Sequence, residues 1–191
     1  MKVMAINGSA RKNGNTFMMI ESVLAELEME GIKTELVNLS GKSLRGCIAC
    51  YKCFENQNKR CAVKDDDFNE VLEKMVEADG MILGSPTYFS NVSSELKAVI
   101  DRAGIVAKAN NDMFQRKVGA AVVVQRRCGA IHTFNSINHL FLISQMIIPG
   151  SSYWNMGIGM DKGDVAGDEE GMRTMKTLGK NMAWLLGKLN G

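Results

Sequence analysis

The chain has 191 residues, 46% hydrophobic and 23% charged, which suits a single ordinary globular domain with a full core. Lys and Arg total 23 against 21 Asp and Glu, and a formal net charge of +2 argues against a nucleic-acid partner, whose footprint needs a clustered basic excess. No apolar run approaches the roughly 18 residues of a membrane span, and the stretch Val3–Ile6 behind Lys2 is too brief for a signal peptide, so a cytoplasmic protein is expected.

Strand-like apolar runs alternate with helical patterns along the chain. Residues 2–7 read as a buried strand, and residues 15–30 as a helix with Ile20, Val23, Leu24 and Leu27 on one face, stopped by Gly31. Residues 33–39 are a second strand, followed by an irregular segment over 40–64. Phe68, Val71, Leu72, Met75 and Val76 then mark another helix. A third strand is expected over 80–84, a helix over 93–106, a fourth strand over 118–125, a helix over 132–146, a fifth strand over 147–154 and a closing helix over 170–189. Fully apolar strands alternating with helices imply an α/β fold, a parallel sheet with helices on both faces. Five units in this length fit a doubly wound, five-stranded sheet of flavodoxin type, with 1–191 as one domain. In such sheets ligands sit beyond the carboxyl ends of the strands, so the loops there are the candidates for chemistry.

The first strand runs into Gly8-Ser9-Ala10-Arg11-Lys12-Asn13-Gly14-Asn15-Thr16 and then a helix. Small polar residues at that turn expose backbone N–H groups beside a helix N-terminus, a setting that suits a terminal phosphate. A Walker loop is excluded: five residues separate Gly8 from Gly14, and Asn15 stands where the lysine is required. No G-x-G-x-x-G dinucleotide run occurs. An ordinary polar loop with Asn15 as helix cap is the plain alternative, but nine residues exceed the usual ~2–6 of such connections. The third strand ends in Gly84-Ser85-Pro86-Thr87-Tyr88-Phe89-Ser90-Asn91, where aromatic surface beside free backbone donors suits a flat heterocycle; Ser93 or Ser94 caps the helix that follows.

These two segments, GSARKNGNT and SPTYFSNVSSELKAVIDR, resemble the NADPH-dependent FMN reductase group of flavodoxin-like proteins, and the likeness extends to QRRCGAIHTF and the closing GDEEGMRTMKTLGKN helix. The resemblance implies FMN, with its phosphate at Ser9, Arg11, Asn13, Asn15 and Thr16. It carries the ring and ribityl chain to Pro86, Thr87, Tyr88, Phe89 and Asn91, with Cys128 and Gly129 lining the ring from the fourth loop. That fourth loop, Arg126-Arg127-Cys128, is less glycine-rich than is usual in the group. It also implies a homodimer or homotetramer, in which a neighbouring subunit covers the flavin edge.

Four of the five cysteines, Cys47, Cys50, Cys53 and Cys61, fall within fifteen residues at C-x2-C-x2-C-x7-C spacing. Three thiols at two-residue gaps are a known way to present iron–sulfur ligands from one loop. Zinc, a redox-active Cys50–Cys53 pair and plain thiols are the other readings of this spacing. The run resembles the compact cysteine motif of iron–sulfur flavoproteins, a subgroup of the same family. That resemblance implies a [4Fe–4S] cluster near FMN, on the same sheet edge as the FMN loops, with electrons from ferredoxin-like donors. A clusterless NAD(P)H-dependent FMN or quinone reductase is the alternative, as is a non-enzymatic flavin-binding electron carrier. Asp65–Asp67 are expected to charge and cap the next helix, and Asp101–Arg102 to form a helix-end ion pair. Arg126 and Arg127 suit either salt bridges or the phosphate of a nicotinamide cofactor.

Overall fold

The structure, a computed structural model, describes residues 1–190. In chain order the elements are β1 (Lys2–Asn7), α1 (Asn15–Met29), β2 (Lys33–Asn38), α2 (Lys52–Asn56), α3 (Phe68–Glu77), β3 (Gly80–Pro86), α4 (Ser94–Ala109), β4 (Val118–Gln125), α5 (Ala130–Ile143), β5 (Met156–Ile158), a 3-10 turn (Asp164–Gly167) and α6 (Glu169–Asn190). The strands form one sheet in the order β2-β1-β3-β4-β5, every neighbouring pair parallel. The expected doubly wound α/β fold is therefore present. No helix among the described residues is long and apolar enough to cross a membrane.

Each strand feeds two cores because successive side chains point to opposite faces. Met4 and Ile6 of β1 join Ala121 and Val123 of β4 in a core closed by α3, α4 and α5. Val3 and Ala5 join Val118, Ala120, Val122 and Val124 in the other, closed by α1 and α6. Burial on both faces is why these strands read as continuous apolar runs rather than alternating ones. The edge strand β2 is instead charged, and Glu35 on it pairs with Lys2 (2.9 Å) and Lys74 (2.8 Å), which discourages further strand pairing at that edge.

The fifth strand departs from the expectation of 147–154. Ile147 makes only a single bridge to Val118, at the start of β4. Pro149 has no N–H to donate, and the chain leaves the sheet there. It returns at Asn155, whose carbonyl accepts from Val123 N–H (3.0 Å), and β5 then pairs with the last residues of β4. The intervening excursion carries Tyr153 and Trp154, both exposed and edge-to-face with ring centroids 4.7 Å apart. The segment over 40–64 is irregular as expected, apart from the short α2.

Two charge assignments are also corrected. Within the Asp65–Asp67 run Asp67 is not the cap, its carboxylate accepting from Ser43 N–H (2.7 Å), whereas Asp66 turns inward and accepts from Phe68 N–H (3.3 Å) at the start of α3. Asp101 and Arg102 lie mid-helix and part company: Asp101 pairs with Lys97 (2.5 Å) on the surface, and Arg102 points into the protein to meet Asp66. A helix places consecutive residues about 100° apart, so neighbours in sequence do not share a face. Ser93 caps α4 as expected, accepting from Leu96 N–H (3.3 Å).

Helices α1 and α6 meet closely at Gly179, where an added Cβ would lie 2.7 Å from Glu26 Cβ and 2.8 Å from the Val23 carbonyl oxygen. Gly179→Ala gains about 1 kcal/mol of helix propensity but forces two backbones apart. Overpacking of this kind costs about 1–3 kcal/mol, so the variant is expected to unfold at lower urea than wild type; an unchanged or higher midpoint would show that the helices can separate freely.

Candidate functional site

The loop after β1 is held open from beneath. Gly8 N–H donates to the Gly84 carbonyl (2.8 Å), and a Cβ on Gly8 would meet Leu96 Cβ at 2.9 Å, so only glycine lets the loop approach α4 this closely. Asn7 Oδ1 accepts from Ser9 N–H (3.1 Å), and Ser9 Oγ accepts from Arg11 N–H (3.1 Å), turning the loop over the sheet. No side chain caps the N-terminus of α1. Its first N–H groups lack partners in the helix and carry the positive end of the dipole.

A pocket opens above that terminus, lined by Ser9, Arg11, Asn15, Thr16, Pro86, Thr87, Tyr88, Val124, Gln125, Arg126, Gly159 and Met160. It lies between the carboxyl ends of β1, β3 and β4, at the point where the strand order reverses. Seven of the sequence candidates are thus brought together: Ser9, Arg11, Asn15, Thr16, Pro86, Thr87 and Tyr88. Asn15 lies on the pocket, and the plain alternative for it does not form. It is not a cap: its side chain donates to the Asp161 carbonyl (2.8 Å) and accepts from Gly163 N–H (2.8 Å), tying the loop after β5 to the pocket. Arg11 braces the same loop, donating to the Met160 carbonyl (2.9 Å).

Asn13, Phe89, Asn91 and Cys128 do not line the pocket. Asn13 is exposed. Tyr88 and Asn91 exchange backbone hydrogen bonds (2.9 and 3.0 Å) across a tight turn whose central residues, Phe89 (φ 48°) and Ser90 (φ 60°), are both left-handed. Two such residues that are not glycine cost about 1–3 kcal/mol each, and the turn holds the Phe89 ring wholly in solvent. Gly129 starts α5 beside Thr87 and Ser90, while Cys128 is exposed at its rim.

Val124, Gln125, Gly159 and Met160 went unread in the sequence, where Arg126 suits only a salt bridge or the phosphate of a nicotinamide cofactor. They lie at or just beyond the carboxyl ends of β4 and β5, and the strand-end rule points to them once β5 is in its true position. Gln125 holds α5 by accepting from Ala130 N–H (3.0 Å). Neither Arg126 nor Arg127 enters an ion pair among the described residues. The pocket also contains an unsatisfied group: Thr87 Oγ1 is buried with no hydrogen-bond partner. An uncapped helix terminus, a rim of arginines and an orphaned hydroxyl beside Tyr88 fit a phosphate monoester on a polar chain leading to a flat ring.

The cysteine loop forms a second centre. Cys47, Cys50, Cys53 and Cys61 all line one small pocket, closed by Arg102, Ile105 and Val106 of α4. No three acidic, histidine or cysteine side chains among the described residues converge on a point that one metal ion could occupy. A tetrahedral zinc needs its thiolates at about 2.3 Å from one point, and the four thiols share this pocket without meeting at such a point. Ala49 (φ 52°), Tyr51 (φ 55°), Gln57 (φ 44°) and Lys59 (φ 60°) are left-handed, and alternating conformations of this kind turn successive N–H groups toward an anion. Ala49 N–H already points to Cys47 Sγ (3.5 Å). Burial pushes the Cys53 thiol above its ordinary pKa.

This pocket is not at the sheet edge as expected. The start of α4 adjoins the β1 loop, and Arg102 lies eight residues farther along, about 12 Å at 1.5 Å per residue. Lys59 N–H reaches Asn110 Oδ1 (2.8 Å), beyond the end of α4. The loop therefore folds down the side of α4, away from the first pocket. What draws it there is Arg102, whose side chain is 1% exposed and whose partner Asp66 is 2% exposed. Arg102 Nη1 and Nη2 both donate to the Asp66 carboxylate, Nη1 also to the Arg45 carbonyl (3.1 Å), and the guanidinium stacks 4.0 Å from the Phe68 ring centre. Burial alone would raise the Asp66 pKa, but Arg102 and the Arg45 N–H hold it below the ordinary carboxylate value. For Arg102 burial works the other way, and Asp66 and the Cys61 thiol outweigh it to raise the pKa.

The family model described as NADPH-dependent FMN reductase matches residues 1–161. An iron-sulfur flavoprotein of Methanocaldococcus jannaschii is 40% identical over 190 residues, covering 96% of each chain. An iron-sulfur flavoprotein of Methanosarcina thermophila is 33% identical over 188 residues, covering 97% of this chain and 95% of its own. Among solved structures, RosB with a bound flavin-phosphate intermediate superposes with a TM-score of 0.79 at 20% identity, covering 99% of this chain and 80% of that one. An archaeal flavodoxin gives 0.62 at 17% identity, covering 98% and 99%; these two likenesses establish the fold. The chain belongs to the NADPH-dependent FMN reductase family, and it is an FMN-dependent oxidoreductase.

Thr87→Val should separate ligand binding from stability. Removing a buried, unpaired hydroxyl is expected to stabilise the flavin-free protein by about 1 kcal/mol while weakening FMN binding about tenfold, near 1.4 kcal/mol. Thermal unfolding of the apoprotein and fluorescence titration with FMN measure the two effects. Unaltered FMN affinity would remove Thr87 from the flavin site.

Proposed function

We propose that this chain is an iron–sulfur flavoprotein that passes electrons between a [4Fe–4S] cluster, held by Cys47, Cys50, Cys53 and Cys61, and FMN in the pocket above α1. When bound, the cluster supplies single-electron exchange and FMN supplies both one- and two-electron chemistry. The observation that carries the reading is the gathering of all four thiols on one pocket. Relatives that carry the name iron-sulfur flavoprotein across nearly their whole length support it.

In this reading the residues of the chain bind and orient rather than react. The α1 terminus, Ser9, Thr16 and Arg11 hold the FMN phosphate; Asn13 stands at the mouth of that loop. Pro86, Thr87 and Tyr88 hold the ribityl chain and ring, with Gly129 behind them and Phe89, Asn91 and Cys128 at the exposed rim. A ferredoxin-like protein is the proposed donor. NAD(P)H as direct donor is the second reading, favoured by Arg126 at the pocket and Arg127 beside it, both without ion pairs among the described residues and so free to meet a nucleotide phosphate. The exposed Leu142, Ile143, Tyr153 and Trp154 support assembly into a homodimer or homotetramer.

Anaerobic expression with added iron is expected to yield about four iron and four sulfide per chain, about one FMN, and an electron paramagnetic resonance signal on reduction. Cys50→Ala should lose the iron and keep the FMN. If wild type holds no more iron than Cys50→Ala, the cysteines are plain thiols and a clusterless reductase is the correct reading.

A further inference from the structure

Five buried side-chain atoms among the described residues have no hydrogen-bond partner, and Arg102 Nε is the one that belongs to a charged group. The rest of that guanidinium is occupied by Asp66, the Arg45 carbonyl and the Phe68 ring. These contacts fix its plane. They leave the Nε–H buried without a partner, on a residue that lines the same pocket as Cys61. A buried donor is ordinarily paired, and a charged one left unpaired is the costlier case. Holding the ion pair to Asp66 needs only the two terminal nitrogens, so the ion pair does not account for the third donor.

We propose that Arg102 is the positioning residue of the cysteine pocket: its Nε–H donates to the Cys61 sulfur when that sulfur is a cluster ligand, orienting the thiolate and raising the cluster's reduction potential. The inference rests on the reading that the four cysteines hold a cluster. Partners of metal-bound side chains fix ligand orientation, and hydrogen bonds to cluster sulfurs favour the reduced, more negative state. The chain supplies that donor from a rigid element. The Arg102 fork is clamped by Asp66, which adjoins α3, and by the backbone at Arg45, two residues before Cys47. Both ends of the cysteine loop are thereby tied to the side chain that faces its last cysteine.

Two variants test this. Arg102→Lys keeps a charge for Asp66 but has no planar fork, and a single ammonium cannot pair with the carboxylate and also present a fixed second donor to Cys61. Arg102→Gln combined with Asp66→Asn removes both charges together and leaves no buried ion unpaired. Cluster potentials are read by titration followed with electron paramagnetic resonance, and FMN potentials by absorbance in the same samples. Both variants are expected to shift the one-electron equilibrium of the cluster at least tenfold toward the oxidised form, about 59 mV, and to release iron faster to a chelator, with the FMN potential unmoved. Variants that hold a full complement of iron at the wild-type potential would overturn the role of Arg102 while leaving the cluster reading intact. Wild-type protein without iron would overturn both.

Discussion

A parallel sheet covered by helices on both faces leaves nothing but the ends of its strands free for chemistry. Every strand here except the edge strand β2 and the short β5 is buried on both sides, so apart from Pro86, Val124 and Gln125 at the carboxyl ends their side chains are committed to two cores. The pocket therefore forms where β1, β3 and β4 deliver their loops to one place, and its parts come from residues 9–16, 86–88, 125–126 and 159–160. The placement of the α1 N-terminus at the pocket and the close approach at Gly8, across the paired strands β1 and β3, both follow from that arrangement. The loops can vary widely without disturbing it, because what fixes their roots is the hydrogen-bonded sheet.

The cysteine loop uses a different anchor. It leaves the sheet after β2 and returns at α3 without strand pairing, and it is held to α4 by one buried ion pair. Breaking such a pair from one side typically costs about 3–5 kcal/mol, because the surviving charge has no water to turn to. Arg102 and Asp66 thus fix the loop more firmly than the surface ion pairs at Arg45–Asp65 or Arg60–Glu73 do. Consequently the second centre lies beside the middle of α4, and the distance between the two centres within one chain is set by the length of that helix.

Much of this was legible in the residues themselves. The apolar runs, the helical stripes and the loop with Gly8 and Gly14 depend on neighbours within a few positions, so their meaning survives without the fold. The strand order follows from them through the general rules for parallel sheets. The cysteine spacing likewise placed four thiols together before any coordinates. Misreadings arose where a local signal had two outcomes. Pro149 and Gly150 interrupt an apolar run, and whether the strand ends or resumes depends on what β4 offers opposite. Asp65–Asp67 has the composition of a helix cap, yet Asp66 faces a cation 36 residues away.

By itself the sequence determined the α/β class, the polar loop after the first strand and the grouping of four thiols, because periodicity, glycine placement and spacing act over short stretches; the family was legible only through the resemblance of whole motifs. The tertiary structure alone decided that Asn15 braces the loop at Asp161 rather than capping its own helix, that β5 begins at Met156, that Arg126 and Met160 reach the pocket, and that Arg102 closes the cysteine site. Each of these joins residues far apart in the chain. Such pairings are set by the register of the sheet and the rotation of each helix about its axis, which only the packing of the whole core specifies.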